Sequence, residues 1–140
     1  MALDVELLRG SFNLVAEREP ELTKRFYEIF FTRYPQVRPM FHRTPPEQQQ
    51  KMLRDALVAV LDHLEDAPWL TQNLKALGAK HVEYGVTDEM YNWVGESLLA
   101  AIANAAGDAW SPALASAWTE AYGAIAGLAR AGAAEARAQS

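Results

Sequence analysis

Apolar residues recur along this chain at three- and four-residue steps, the spacing of one face of an α-helix. Val5, Leu8, Phe12 and Val15 form the first such set, and Asp4 stands where a helix cap belongs. Leu22, Phe26, Ile29 and Phe30 form a second, starting near Pro20. It is expected to stop by Tyr34, because the residue before Pro35 is pushed out of the α region. Between Pro35 and Phe41 there is room for one short helical turn. Thr44-Pro45-Pro46-Glu47 reads as a capping box, opening a helix that carries Met52, Leu53, Ala56, Leu57, Val60, Leu61 and Leu64. After Pro68 the series Leu70, Leu74, Leu77 and His81 keeps helical spacing until Gly85. Thr87 is placed as the next cap, with Val86 and Tyr91 as its hydrophobic staple; Val94, Leu98, Ala101, Ile102 and Ala105 then run to Gly107. Ser111-Pro112 opens a last helix with Leu114, Trp118, Tyr122, Ile125 and Leu128. No hairpin signal or sustained alternation interrupts this order, so the expected class is all-α. Uneven helices broken by prolines do not suit a bundle with short loops; a cofactor pocket between crossing helices does.

Composition narrows the picture. The 140 residues make one ordinary domain, half of them apolar and 22% charged, which suits a packed globule. The net charge of −5 favours neither nucleic acid nor an anionic membrane. The absence of cysteine excludes disulfides, zinc–thiolate and iron–sulfur sites, cysteine catalysis and thioether-linked haem. Met1-Ala-Leu-Asp-Val-Glu has no signal-peptide character, and uncharged stretches such as Ser97–Gly107 fall short of the roughly 20 residues of a membrane span. A cytoplasmic location is the expectation. The alanine-rich C-terminal stretch favours helix, with roughly the last seven residues expected to fray.

Chemistry has few places to sit. Phosphate-loop, dinucleotide, zinc-protease and serine-hydrolase motifs are absent, as is the Glu-x-x-His of di-iron bundles. Of three histidines, His42 follows Phe41 in a loop and reads as surface. His63 lies about 100° off the Leu53–Leu57–Val60–Leu64 stripe, at a solvated edge. His81 completes an apolar face. By pattern alone it is a core histidine, yet a buried imidazole needs partners for both nitrogens, and one solution is to donate from one and bind a metal with the other. Gln49, one turn before Leu53, is either a solvated glutamine or an amide at the mouth of an apolar stripe. Tyr27 is either a core tyrosine or a buried phenol with work to do.

Three segments in order carry a resemblance: Phe26-Tyr27-x3-Phe31-x3-Pro35-x-Val37-Arg38-Pro39-x-Phe41, then Lys80-His81-x3-Gly85-Val86 followed by Tyr91-x2-Val94-Gly95-x2-Leu98-Leu99, then Ala117-Trp118-x2-Ala121-Tyr122-Gly123. Together they resemble bacterial single-domain globins of the Vitreoscilla haemoglobin type, relatives of flavohaemoglobin. The resemblance implies one globin domain over 1–140, a three-over-three helical sandwich around non-covalent haem b. It implies His81 as the proximal iron ligand, Phe41 stacked on the porphyrin, and Leu53, Val86, Tyr91 and Val94 around the cofactor. Tyr27 and Gln49 would be the distal hydrogen-bonding residues, with Gln50 a close competitor for Gln49. The family's proximal glutamate falls on Ala133, two residues before Glu135, so either the register shifts or that carboxylate is missing. The implied function is reversible binding of dioxygen, with nitric oxide and carbon monoxide as further ligands. Nitric oxide dioxygenation with a separate reductase, or gas sensing, are the alternatives. Monomer and homodimer are both open.

Overall fold

The helices form where the apolar steps fall. In the computed structural model, which describes residues 3–139, they are α1 (Val5–Arg18), α2 (Leu22–Arg33), α3 (Pro46–Asp62), α4 (Ala67–Glu83), α5 (Asp88–Ala106) and α6 (Pro112–Ala138). Two 3₁₀ segments, Pro35–Phe41 and Gly107–Ala109, turn the chain between them, and the described residues contain no strand. Met1, Ala2 and Ser140 lie outside the described residues.

Local chemistry sets the ends. Asp4 accepts from the Leu7 amide at 3.1 Å, and Ser111 from the Leu114 amide at 3.2 Å, so both satisfy orphan donors at a helix start. Asp66 does the same for α4 through the Trp69 amide at 3.1 Å, which starts that helix ahead of Pro68. The Thr44 capping box does not form: Pro45 occupies the cap in extended conformation (φ −56°, ψ 142°) and no side chain bonds the first turn. The proline displaces the helix start by one residue and carries Thr44 out of reach. Thr87 caps α5 by position but not through its hydroxyl, while Val86 packs with Tyr91 as a staple. Gly85 (φ 83°) and Gly107 (φ 57°) take the left-handed turns that end α4 and α5. At the C-terminus α6 continues to Ala138, through residues expected to fray.

Three helices, α1, α3 and α4, lie over α2, α5 and α6. Across the layers α4 packs along α6, α1 on α5 and α6, and α3 on α2; within them α2 packs on α5. The main core gathers Leu8, Val15, Phe26, Phe30, Val37, Leu98, Ile102 and Trp118. Its buried polar groups are satisfied: the Trp118 indole donates to Ser11 Oγ at 3.0 Å, and that hydroxyl donates to Leu8 O at 3.1 Å. A smaller cluster of Tyr91, Ala126 and Ala129 sits where α5 meets α6. No helix among the described residues is long and apolar enough to cross a membrane.

Candidate functional site

The α4–α6 crossing is built from small residues. A Cβ added at Gly78 would stand 1.7 Å from the Ala129 carbonyl oxygen, and one at Gly132 would stand 2.0 Å from the Lys75 carbonyl oxygen. The two backbones therefore touch, and α4 is held in one place on α6. His81 lies one turn past Gly78. Its Nδ1 is 2.7 Å from the Leu77 carbonyl oxygen, which accepts only, so Nδ1 is the donor there and Nε2 is the nitrogen left without that bond. His81 is half-buried rather than a core residue, and Leu77, the apolar neighbour one turn before it, is 41% exposed. The apolar face read along α4 is thus only partly covered.

Around His81 stand Tyr84, at 6.0 Å between ring centres, and Tyr91, at 6.3 Å. Tyr91 is buried, and its hydroxyl has no hydrogen-bond partner. Burial raises its pKa, opposed by Arg137 and Arg130. Val86 packs on Tyr91, whereas Val94, one turn along α5, packs in the main core. Ala133 is buried, and Glu135 faces solvent, bonded to Lys75 at 3.1 Å. No register shift brings Glu135 inward, and the backbone contact beside Ala133 leaves little room for a longer side chain.

The other set comes from α2, the 3₁₀ segment and α3. Tyr27, Phe30, Phe31 and Phe41 interlock, with Phe41 edge-on to Tyr27 at 5.8 Å and to Phe31 at 5.4 Å. These aromatic contacts fix Phe41 where the two prolines turn the chain. The Gln49 amide, not that of Gln50, donates to the Tyr27 hydroxyl oxygen at 3.2 Å. Burial raises the Tyr27 pKa, with the Gln49 bond pulling against it, so the phenol keeps its proton at neutral pH. Leu53, one turn on, packs half-buried on the same core with Leu57.

The structure thus joins Tyr27, Gln49, Phe41 and Leu53 on one side, and His81, Val86 and Tyr91 on another. His42 is exposed, as read from the sequence. His63 is partly exposed at the helix end, where its ring also stacks on Trp69 at 3.8 Å and its Nδ1 donates to the Ala59 carbonyl at 2.7 Å. Two residues beside the site were given no site role by the sequence, although Tyr122 was read as part of the last helix. Arg130 lies over the Tyr91 ring, and Tyr122 donates to the Tyr91 carbonyl at 2.5 Å. An arginine in the middle of an alanine-rich helix was the one available signal for Arg130.

A family model described as Globin matches residues 24–128. A flavohemoprotein of Rhodopirellula baltica is 37% identical over 126 residues, which are 89% of this chain and 31% of that protein. The chain therefore spans under a third of the length of that relative. Among solved structures, an engineered carbene transferase, a candidate nitric oxide dioxygenase from Rhodothermus marinus, has a TM-score of 0.85 at 26% identity, covering 99% of this chain and 97% of that one. A flavohemoglobin from Malassezia yamatoensis with bound FAD and heme has a TM-score of 0.81 at 26% identity, covering 96% of this chain and 37% of that one.

Proposed function

The chain belongs to the globin family, and from that premise we propose that it holds haem b and binds dioxygen reversibly, with His81 as the iron ligand. The residues fit the group. The His81 imidazole is oriented through Nδ1 by the Leu77 carbonyl, which is how metal-binding histidines are commonly held, and Nε2 is the nitrogen left for iron. Phe41, Leu53 and Leu57 are half-buried and Leu77 is 41% exposed, apolar surface that a flat macrocycle would cover. Val86, Tyr91 and Val94 would complete the lining.

When bound, haem supplies the gas chemistry itself; the protein contributes the axial ligand, the distal donors and the exclusion of water. Tyr27 and Gln49 are the distal donors in this reading, and the Gln49–Tyr27 hydrogen bond is the observation that carries it. Because the amide donates to the phenol oxygen, the phenol hydrogen stays free for a ligand. The same bond orients and polarises the hydroxyl, so Gln49 assists while Tyr27 donates. An amide and a phenol that keeps its proton are poor ligands for ferrous iron, which leaves that coordination position to a diatomic gas: dioxygen, carbon monoxide or nitric oxide.

Optical spectra of the full chain supplied with hemin test this. We expect a Soret band in the oxidised, reduced and oxygenated protein, and a mainly five-coordinate reduced form. A colourless product, a six-coordinate low-spin reduced form, or an unchanged band in His81→Ala overturns the assignment.

The names of the relatives favour a second reading, nitric oxide dioxygenation in the cytoplasm with a separate reductase. Nitric oxide, dioxygen and one electron together yield nitrate. Sustained turnover with a cellular reductase, beyond a single conversion, distinguishes this enzyme from a carrier.

A further inference from the structure

An arginine backs the imidazole. Arg130 on α6 sets its guanidinium carbon 5.5 Å from the centre of the Tyr91 ring, which also lies against the His81 ring at 6.3 Å between centres. It is half-buried, and its Nε is buried without a partner. Its Nη2 donates to Asn92 Oδ1 at 2.6 Å and to the Asp88 carbonyl at 3.3 Å, both neutral acceptors. Among the described residues Arg130 makes no salt bridge. The Asp88 carboxylate is engaged by Arg137 at 3.4 Å, and Glu135 by Lys75. Lys80 and Glu83 on α4 are exposed and opposite in sign. One positive charge is therefore left uncompensated behind His81.

We infer that Arg130 is a positioning residue of the electrostatic kind, whose fixed charge holds the iron bound by His81 in its ferrous, gas-binding state. This rests on the haem reading above. The ferric centre carries one more positive charge than the ferrous, so a nearby cation disfavours it. The 5.5 Å and 6.3 Å spacings through Tyr91 put the guanidinium no more than about 12 Å from the imidazole; two unit charges on the order of 10 Å apart, at an effective dielectric of about 20, interact by enough to shift an equilibrium roughly tenfold. Asp88 and Glu135 are committed to Arg137 and Lys75, and the exposed Glu83 is offset by Lys80 on the same helix.

Potentiometric titration of the hemin-loaded full chain, reduced with dithionite and reoxidised with ferricyanide, reads the ferric/ferrous midpoint directly. Arg130→Met is expected to lower it by about 59 mV, a tenfold change for one electron, and Arg130→Lys to retain most of the native value. Asn92→Asp keeps the arginine and the shape of its partner but adds a carboxylate, and is expected to move the midpoint the same way. Coincident midpoints in Arg130→Met and the native chain, an equal drop in Arg130→Lys, or no shift in Asn92→Asp overturn the inference while the Soret band persists. Absence of the Soret band in the native chain removes the haem reading itself.

Discussion

The two sides of the candidate site are held by different means. On the His81 side, position comes from backbone: α4 lies directly on α6 through Gly78 and Gly132, and the imidazole inherits its place from that contact. On the Tyr27 side, position comes from side chains: interlocking rings fix Phe41, and one amide fixes the phenol. Backbone contact is intolerant of added volume but indifferent to polar chemistry, whereas the ring cluster reverses those priorities. One side should therefore fail by steric substitution, and the other should lose ligand affinity while staying folded.

The largest effect is expected at the crossing. Gly78→Ala places a methyl group where a carbonyl oxygen stands, and neither backbone can move without the other. We expect a loss of about 3 kcal/mol or more in urea unfolding. Gly123 and Gly127 lie on the same α6 with nothing within 4 Å of an added Cβ. There Gly→Ala is expected to raise stability by about 0.5–1 kcal/mol through helix propensity and the unfolded chain. Equal effects at Gly78 and Gly127 would break the contrast.

On the opposite side, Tyr27→Phe removes a donor and little volume. A hydrogen bond to a charged acceptor contributes about 1.5–3 kcal/mol, so oxygen release is expected to accelerate about 10- to 150-fold. Gln49→Ala is expected to accelerate it less, since the phenol remains and loses only its orienting partner. Stopped-flow displacement of oxygen by carbon monoxide measures both. Release as slow in Tyr27→Phe as in the native chain, or faster in Gln49→Ala than in Tyr27→Phe, would reverse the roles.

The same asymmetry explains what was readable in advance. Helices are local: apolar steps and short-range caps such as Asp4 and Ser111 lie within one window, and these matched. Thr44 failed because two prolines compete for the same turn, and sequence order alone does not rank them. Tyr27 and Phe41 share a short motif, so their pairing was legible, whereas the choice of Gln49 over Gln50 depended on which amide reaches a phenol on another helix. The roles of Gly78, Gly132 and Arg130 were not readable because each takes its meaning from a partner remote in sequence. Glycine inside a helix reads as a weakness until the helix lying on it is known.

The smallest effect tests whether the tyrosines on the two sides differ in burial. Tyr122 donates to the Tyr91 carbonyl and packs so closely on Gly95 that an added Cβ would stand 2.5 Å from its ring. Burial pushes its pKa well above the ordinary value of 10, against the opposing charge of Arg130. The folded chain thus holds this proton more tightly than the unfolded chain, whose tyrosines titrate near pH 10. Its contribution is intact below pH 10 and is lost as pH rises from there toward the folded value, at up to 1.36 kcal/mol per pH unit for one proton. Tyr122→Phe should cost about 1 kcal/mol at pH 8 through the lost hydrogen bond, yet flatten the fall above pH 10. Tyr27 and Tyr91 are shifted in the same direction, so the slope should diminish rather than vanish. Tyr27→Phe should flatten it less, because only Tyr122 is displaced far from its ordinary range. Unfolding titrations at intervals from pH 8 to pH 11 compare the three chains, and an alkaline slope unchanged by Tyr122→Phe would place that hydroxyl in contact with water.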